Sequence, residues 1–121
     1  MRKQMAKNEK KAEALTDVGQ IEEITALLKK MIGPDVDLGA TLKFDYEGAG
    51  VVFIDGSRVP HDIHNRDEPA DCTVTLASDI HLKMLRMQLD QTSAFTRGLM
   101  RISGDVGVAV RLRPLILKNL R

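Results

Sequence analysis

Aromatic side chains are scarce. Tryptophan is absent, and Phe44, Tyr46, Phe53 and Phe95 supply the 3% of the chain that is aromatic. That excludes a base-stacking platform for nucleic acid and an aromatic cage. Cysteine is limited to Cys72, which excludes an intrachain disulfide and a cysteine zinc cluster; a reducing compartment, the cytoplasm, is the expected setting. No apolar run approaches the roughly 18 residues that mark a membrane span. Residues 1–14 are basic, but the apolar stretch of a secretory leader does not follow them. Asn119-Leu120-Arg121 is not a peroxisomal address. Neither sign of charge dominates: 18 Lys and Arg face 17 Asp and Glu, a net charge of +1, too little for bulk capture of nucleic acid.

What is present suits one globular domain: 121 residues, 43% hydrophobic and 29% charged. The charge is uneven. Residues 1–16 and 105–121 each carry +3, and the stretch between them carries −5. Residues 1–16 read as a flexible basic tail, frayed or weakly helical, ahead of a domain over 17–121. Basic ends on an acidic body are solvated termini or a transient contact with an anionic membrane.

The spacing predicts a helix over 18–32. Ile21, Ile24, Leu27, Leu28, Met31 and Ile32 recur at helical intervals, Asp17 and Gln20 form a capping-box pattern, and Gly33-Pro34 ends the run. Leu42, Phe44 and Tyr46 alternate with polar residues as in a half-buried strand. Gly48-Ala49-Gly50 turns the chain into an apolar strand over 51–54, and Asp55-Gly56 signals a hairpin. Pro60 interrupts a third strand over about 58–64, which should be an edge strand or irregular. A fourth strand over 71–77 places Cys72, Val74 and Leu76 on one face. Ser78 caps a helix to about 88. On it Ile80, Met84 and Met87 form one apolar stripe, and Leu82, Leu85 and Leu89 the opposite one. A short helix, a fifth strand with Met100 and Ile102 inward, and a last helix capped by Asp105 complete the chain. Pro114 should kink that last helix. The fold class is α+β: a five-stranded, mainly antiparallel sheet covered by helices.

Candidate chemistry is thin. His61 and His64 point to opposite faces of a strand-like segment, and His81 reads as a surface histidine, so no metal site is expected. Cys72 lacks a base at any suggestive spacing and reads as an inert core thiol. Neither glycine cluster, 48–50 or 104–107, matches a phosphate loop. No cofactor is implied.

The second half carries a resemblance. Pro69-Ala70-Asp71-Cys72-Thr73-Val74-Thr75-Leu76 leads to Ser78-Asp79 and Leu82-x-x-Leu85. Ala94-Phe95, Gly98, Ile102-x-Gly104-Asp105-x-Gly107-x-Ala109 and Leu112 follow. This run resembles the sterol-carrier-protein-2 sterol-binding domain family, in a standalone member of bacterial type. The first half agrees through the helix at 21–32, Phe44-Asp45, Gly50 and the strand and turn at 51–56. The resemblance implies an apolar tunnel that binds sterol, fatty acid, fatty acyl-CoA or a similar lipid, with no catalysis of its own. The chain departs from the family at Met87-Gln88-Leu89-Asp90-Gln91 and at Gly98-Leu99-Met100-Arg101-Ile102, where a lysine expected to meet an acyl-CoA phosphate is missing.

A tunnel of this kind would draw its wall from Ile24, Leu28, Phe44, Val52, Ile54, Leu82, Leu85, Phe95, Ile102, Val106, Val110 and Ile116. On that reading Phe95→Asp abolishes lipid binding. The last helix, with Arg111, Arg113, Lys118 and Arg121 on it or beside it, would act as a lid that touches membrane. Two other readings stand beside this one. The first is an accessory protein, a homodimer or a partner of a lipid enzyme, that presents a polyprenyl-quinone precursor through the Ile80/Met84/Met87 stripe. The second is a small hydrolase using Cys72.

Overall fold

The computed structural model describes the backbone of residues 2–33 and 38–119 and the side chains of residues 17–33, 38–112 and 114. Among them the elements run α1 (Arg2–Met31), β1 (Thr41–Asp45), β2 (Val51–Asp55), β3 (Asp62–His64), β4 (Cys72–Leu76), α2 (Ser78–Leu85), α3 (Gln91–Thr96), β5 (Met100–Gly104) and α4 (Val106–Asn119). The expected α+β class, sheet and strand count are present.

Helix α1 begins at Arg2, not at 18. Residues 2–16 contain neither glycine nor proline and are rich in Lys, Glu and Ala, which favour helix even without an apolar stripe. Further along, Ile21, Ile24, Leu28, Met31 and Ile32 are buried, while Glu22, Glu23, Lys29 and Lys30 are exposed. Asp17 and Gln20, inside the helix, do not cap it. They accept from the Ser78 hydroxyl at 3.1 and 2.6 Å, tying α2 to α1. Ser78 in turn is the first residue of α2 and not its cap; Ala77 takes that place. Helix α2 ends at Leu85, earlier than its apolar spacing suggests, because the chain turns through Met87 at φ 62°.

The sheet order is β3-β2-β1-β4-β5. Three pairs are antiparallel; β1 and β4 are parallel. Asp71 fixes that parallel start. Its carboxylate accepts from the Thr41 N–H at 2.9 Å and the Thr41 hydroxyl at 3.1 Å, and its own N–H donates back to that hydroxyl at 2.8 Å. Its carbonyl accepts from the Asp105 N–H at 2.8 Å. Gly104, at φ 83°, crosses so close that a Cβ there would lie 2.4 Å from the same carbonyl, so only glycine fits. Asp55-Gly56 is not a two-residue hairpin. Gly56 instead prolongs the β1–β2 ladder through bonds to Gly39 and Ala40, and β3 follows as the predicted edge strand.

Register puts Phe44 opposite Val52 and Val74, and Val74 opposite Ile102, on one inner face. Leu42, Ile54, Cys72, Leu76 and Met100 join them there in the core. Strand β2 is buried on both faces, as its unbroken apolar run requires; on the outer face Phe53 stacks on His64 at 4.8 Å. Helix α1 packs on β2, β3 and α2, and α4 on β1, β4 and β5. Asp105 caps α4 by accepting from the Gly107 N–H at 3.0 Å, and the helical backbone continues through Pro114.

Candidate functional site

Between the α1–α2 pair and α4 the inner face is not filled. A cavity of about 250 Å³ lies there. Its floor is Leu42, Phe44, Val74, Leu76 and Met100 from the sheet; Met84 and Leu85 of α2 and Ala109 and Leu112 of α4 face each other across it. The segment 86–90 forms the rim, where Met87 (69% exposed) and Asp90 stand open to solvent beside Leu89. The lining is predominantly aliphatic and rich in methionine, the side chain that adapts most easily to irregular contents.

Away from Asp90 and Gln91 at the rim end, the polar residue among the described lining is His81. The sequence reading placed it on the surface; it is 3% exposed and lines the cavity. Its Nδ1 lies 2.7 Å from the Tyr46 hydroxyl, and its ring packs on Phe44 at a centroid distance of 4.3 Å. Burial lowers the His81 pKa to about 3 and raises that of Tyr46, so both are neutral at ordinary pH. The surface reading failed because His81 sits between two apolar stripes of a helix covered on both sides.

The candidate wall residues whose side chains are described divide three ways. Phe44 and Leu85 line the cavity. Ile24, Leu28, Val52, Ile54 and Leu82 are buried, but in solid core outside the cavity lining, with Ile102 packed half-buried against them. Phe95, Val106 and Val110 are exposed, at 56%, 49% and 61%. The Ile116 side chain lies outside the described residues, as do those of Arg113, Lys118 and Arg121. The proposed partner stripe also comes apart: Ile80 packs against the core, Met84 enters the cavity, and Met87 lies beyond the helix end. Met31, Leu42, Leu76, Leu89, Gln91, Met100, Ala109 and Leu112 line the cavity but were not among the candidates. The inward positions of Leu76 and Met100 are legible from strand alternation, and Leu89 belongs to the Leu82/Leu85/Leu89 stripe; the polar Gln91, at the start of α3, carries no such signal.

Cys72 is fully buried, burial pushes its thiol pKa up, and no histidine or carboxylate hydrogen-bonds it among the described residues. That arrangement does not make a nucleophile. Among the described residues no three His, Cys, Asp or Glu surround a cation site, and no helix is long and apolar enough to cross a membrane.

The chain is thus a small α+β domain with an apolar pocket between its sheet and its helices. The chain belongs to the SCP-2 sterol transfer family, whose model matches residues 5–117. Human (Homo sapiens) sterol carrier protein 2 is 37% identical over 54 residues, 45% of this chain; the match covers 10% of that protein, so this chain spans only a small part of its relative. The solution structure of sterol carrier protein domain 2 of Helicoverpa armigera shares the fold at a TM-score of 0.67 and 19% identity, over 83% of this chain and 87% of that one. Sterol carrier protein 2 of Aedes aegypti, solved in complex with the C16 fatty acid palmitate, shares it at 0.58 and 21%, over 80% and 90%.

Proposed function

We propose that this protein is a non-enzymatic carrier that takes the alkyl chain of a lipid into the cavity between α1–α2 and α4 and delivers it elsewhere. The cavity carries the reading: an aliphatic void of about 250 Å³ on the sheet's inner face, with an exposed methionine at its mouth. Family membership and the palmitate held by the Aedes aegypti relative support the same ligand class.

The volume sets the scale. An apolar void of about 150 Å³ admits one benzene, so about 250 Å³ takes roughly ten carbons. Burying about ten methylenes is worth on the order of 8 kcal/mol, and association removes about 4 or more, which leaves roughly millimolar binding for the enclosed part alone. About five further methylenes, lying against Met87 and Leu89 at the rim, bring it to roughly micromolar. The ligand is therefore an acyl or polyisoprenyl chain longer than the enclosed space. Release would occur at an anionic membrane, towards which the basic residues of 1–16 and of the last helix are drawn.

Native mass spectrometry of freshly purified protein, followed by lipid extraction, tests this. The carrier reading expects one alkyl lipid per chain. Bare protein in every preparation, with no uptake of a fluorescent fatty probe, would refute it.

A further inference from the structure

Among the described residues the cavity lining has one deeply buried polar side chain, His81, with a single side-chain hydrogen bond. Tyr46 and His81 are both more than nine-tenths buried, and the bond between them is the sole side-chain hydrogen bond of either among the described residues. A neutral imidazole has one N–H and one bare nitrogen. If Nδ1 held the proton, the phenolic hydrogen would face another donor and be left without an acceptor in a buried place, which costs more than a hydrogen bond is worth. The economical arrangement has Tyr46 O–H donating to Nδ1, which puts the ring proton on Nε2. Tyr46 does not line the cavity, whereas His81 does, so the edge of the ring away from Tyr46 is the one that borders the void.

We propose that the Nε2–H of His81 is the recognition point for the ligand's polar end, and that the ligand carries an uncharged carbonyl oxygen, as in an ester, ketone or quinone, that accepts from it. This rests on the carrier reading and narrows the lipid. A neutral donor satisfies a carbonyl fully but does not balance a carboxylate. The lining residues that are described include no Lys or Arg, and the only charged one is Asp90, at the rim. Gln91, also at that end, is the other polar lining residue. Phe44 packs against the imidazole, the two rings tilted by 36°, and restricts how far the ring can turn.

Two measurements test this on the whole chain, with decane, 2-decanone and decanoate as probes because ten carbons match the void. In the first, long-range proton–nitrogen NMR of the unaltered protein reads the His81 tautomer. The Nε2-protonated form is expected, and its proton resonance should move with 2-decanone and stay put with decane. In the second, Tyr46→Phe with His81→Phe removes both polar partners together, so that neither is orphaned. The ratio of 2-decanone to decane affinity should fall three- to tenfold, about the worth of one neutral hydrogen bond, and decanoate should bind the unaltered protein more weakly than 2-decanone. An Nδ1-protonated ring, a resonance indifferent to the ketone, or a tighter grip on decanoate overturns the inference while the carrier reading stands. The NMR arm decides the matter if the double variant does not fold. Failure of both decane and 2-decanone to bind the unaltered protein removes the carrier reading and this inference with it.

Discussion

The two halves of the inner sheet face are made of the same aliphatic stock and end up in opposite states. Under α1, around β2 and β3, Ile24, Leu28, Val52 and Ile54 interlock with essentially no exposed surface. Across β1, β4 and β5 the side chains are just as apolar, yet the space above them is open. The difference lies in the roof. Helix α1 lays a continuous stripe at i, i+3, i+4 spacing directly on β2. The other half is roofed by α2, which has eight residues, by a turn through Met87, and by α4, which presents the small Ala109. A void therefore comes from what the covering elements fail to fill, and not from greater hydrophobicity.

Substitutions sharpen that contrast. The largest effect belongs to the solid half. Leu28→Ala should cost about 2–5 kcal/mol by urea denaturation, because a fully packed site cannot collapse around the gap. Alkyl binding by the folded fraction should be little changed. A loss below about 1 kcal/mol would mean that this half is not solid.

Acid probes the other half. The folded pKa of His81, about 3, lies below the ordinary 6.5 because burial penalises the charged ring. The neutral ring's contribution is intact above about pH 6.5 and is lost as pH falls towards 3, at up to about 1.4 kcal/mol per pH unit. A protein carrying Tyr46→Phe and His81→Phe should lack this component of the slope. Equal slopes in both proteins would place His81 in water.

Val74→Phe puts a ring into the cavity floor. Alkyl affinity should fall about tenfold or more, while stability changes by less than about 1 kcal/mol because the ring enters empty space. The same substitution in a packed site costs about 1–3 kcal/mol, so a large stability loss here would contradict the void. The smallest effect is at Phe95, where exposure makes Phe95→Asp nearly neutral: within about 0.5 kcal/mol in stability and about twofold in alkyl affinity. Abolished binding would restore Phe95 to the site.

The sequence carried the fold further than the site, for a physical reason. Alternation in β1 and β4, the unbroken run of β2 and the cap Asp105 are local signals, and each agrees with the structure; the third strand is at the edge as expected, but it starts at Asp62 and leaves Pro60 outside it. The parallel pairing of β1 with β4 depends on a side chain 30 residues away, Asp71 on Thr41, and spacing alone does not reveal it. The site was less legible. Ile24 and Leu28 read like Phe44 and Leu85, since periodicity reports which residues face inward and not whether anything meets them there. Phe95, Val106 and Val110 are apolar by type yet exposed, and the motif residues near them serve the turn around Gly104 and the cap at Asp105.

The central claim is that the open half holds an alkyl chain, and a homologous series of n-alkanols, titrated by displacement of a fluorescent fatty probe, tests it most directly. Affinity should rise about fourfold per methylene through the roughly ten enclosed carbons and the roughly five that lie against Met87 and Leu89 at the rim, and then flatten as the chain leaves the rim for water. Absence of saturable binding at every length, or an affinity indifferent to length, would contradict the account.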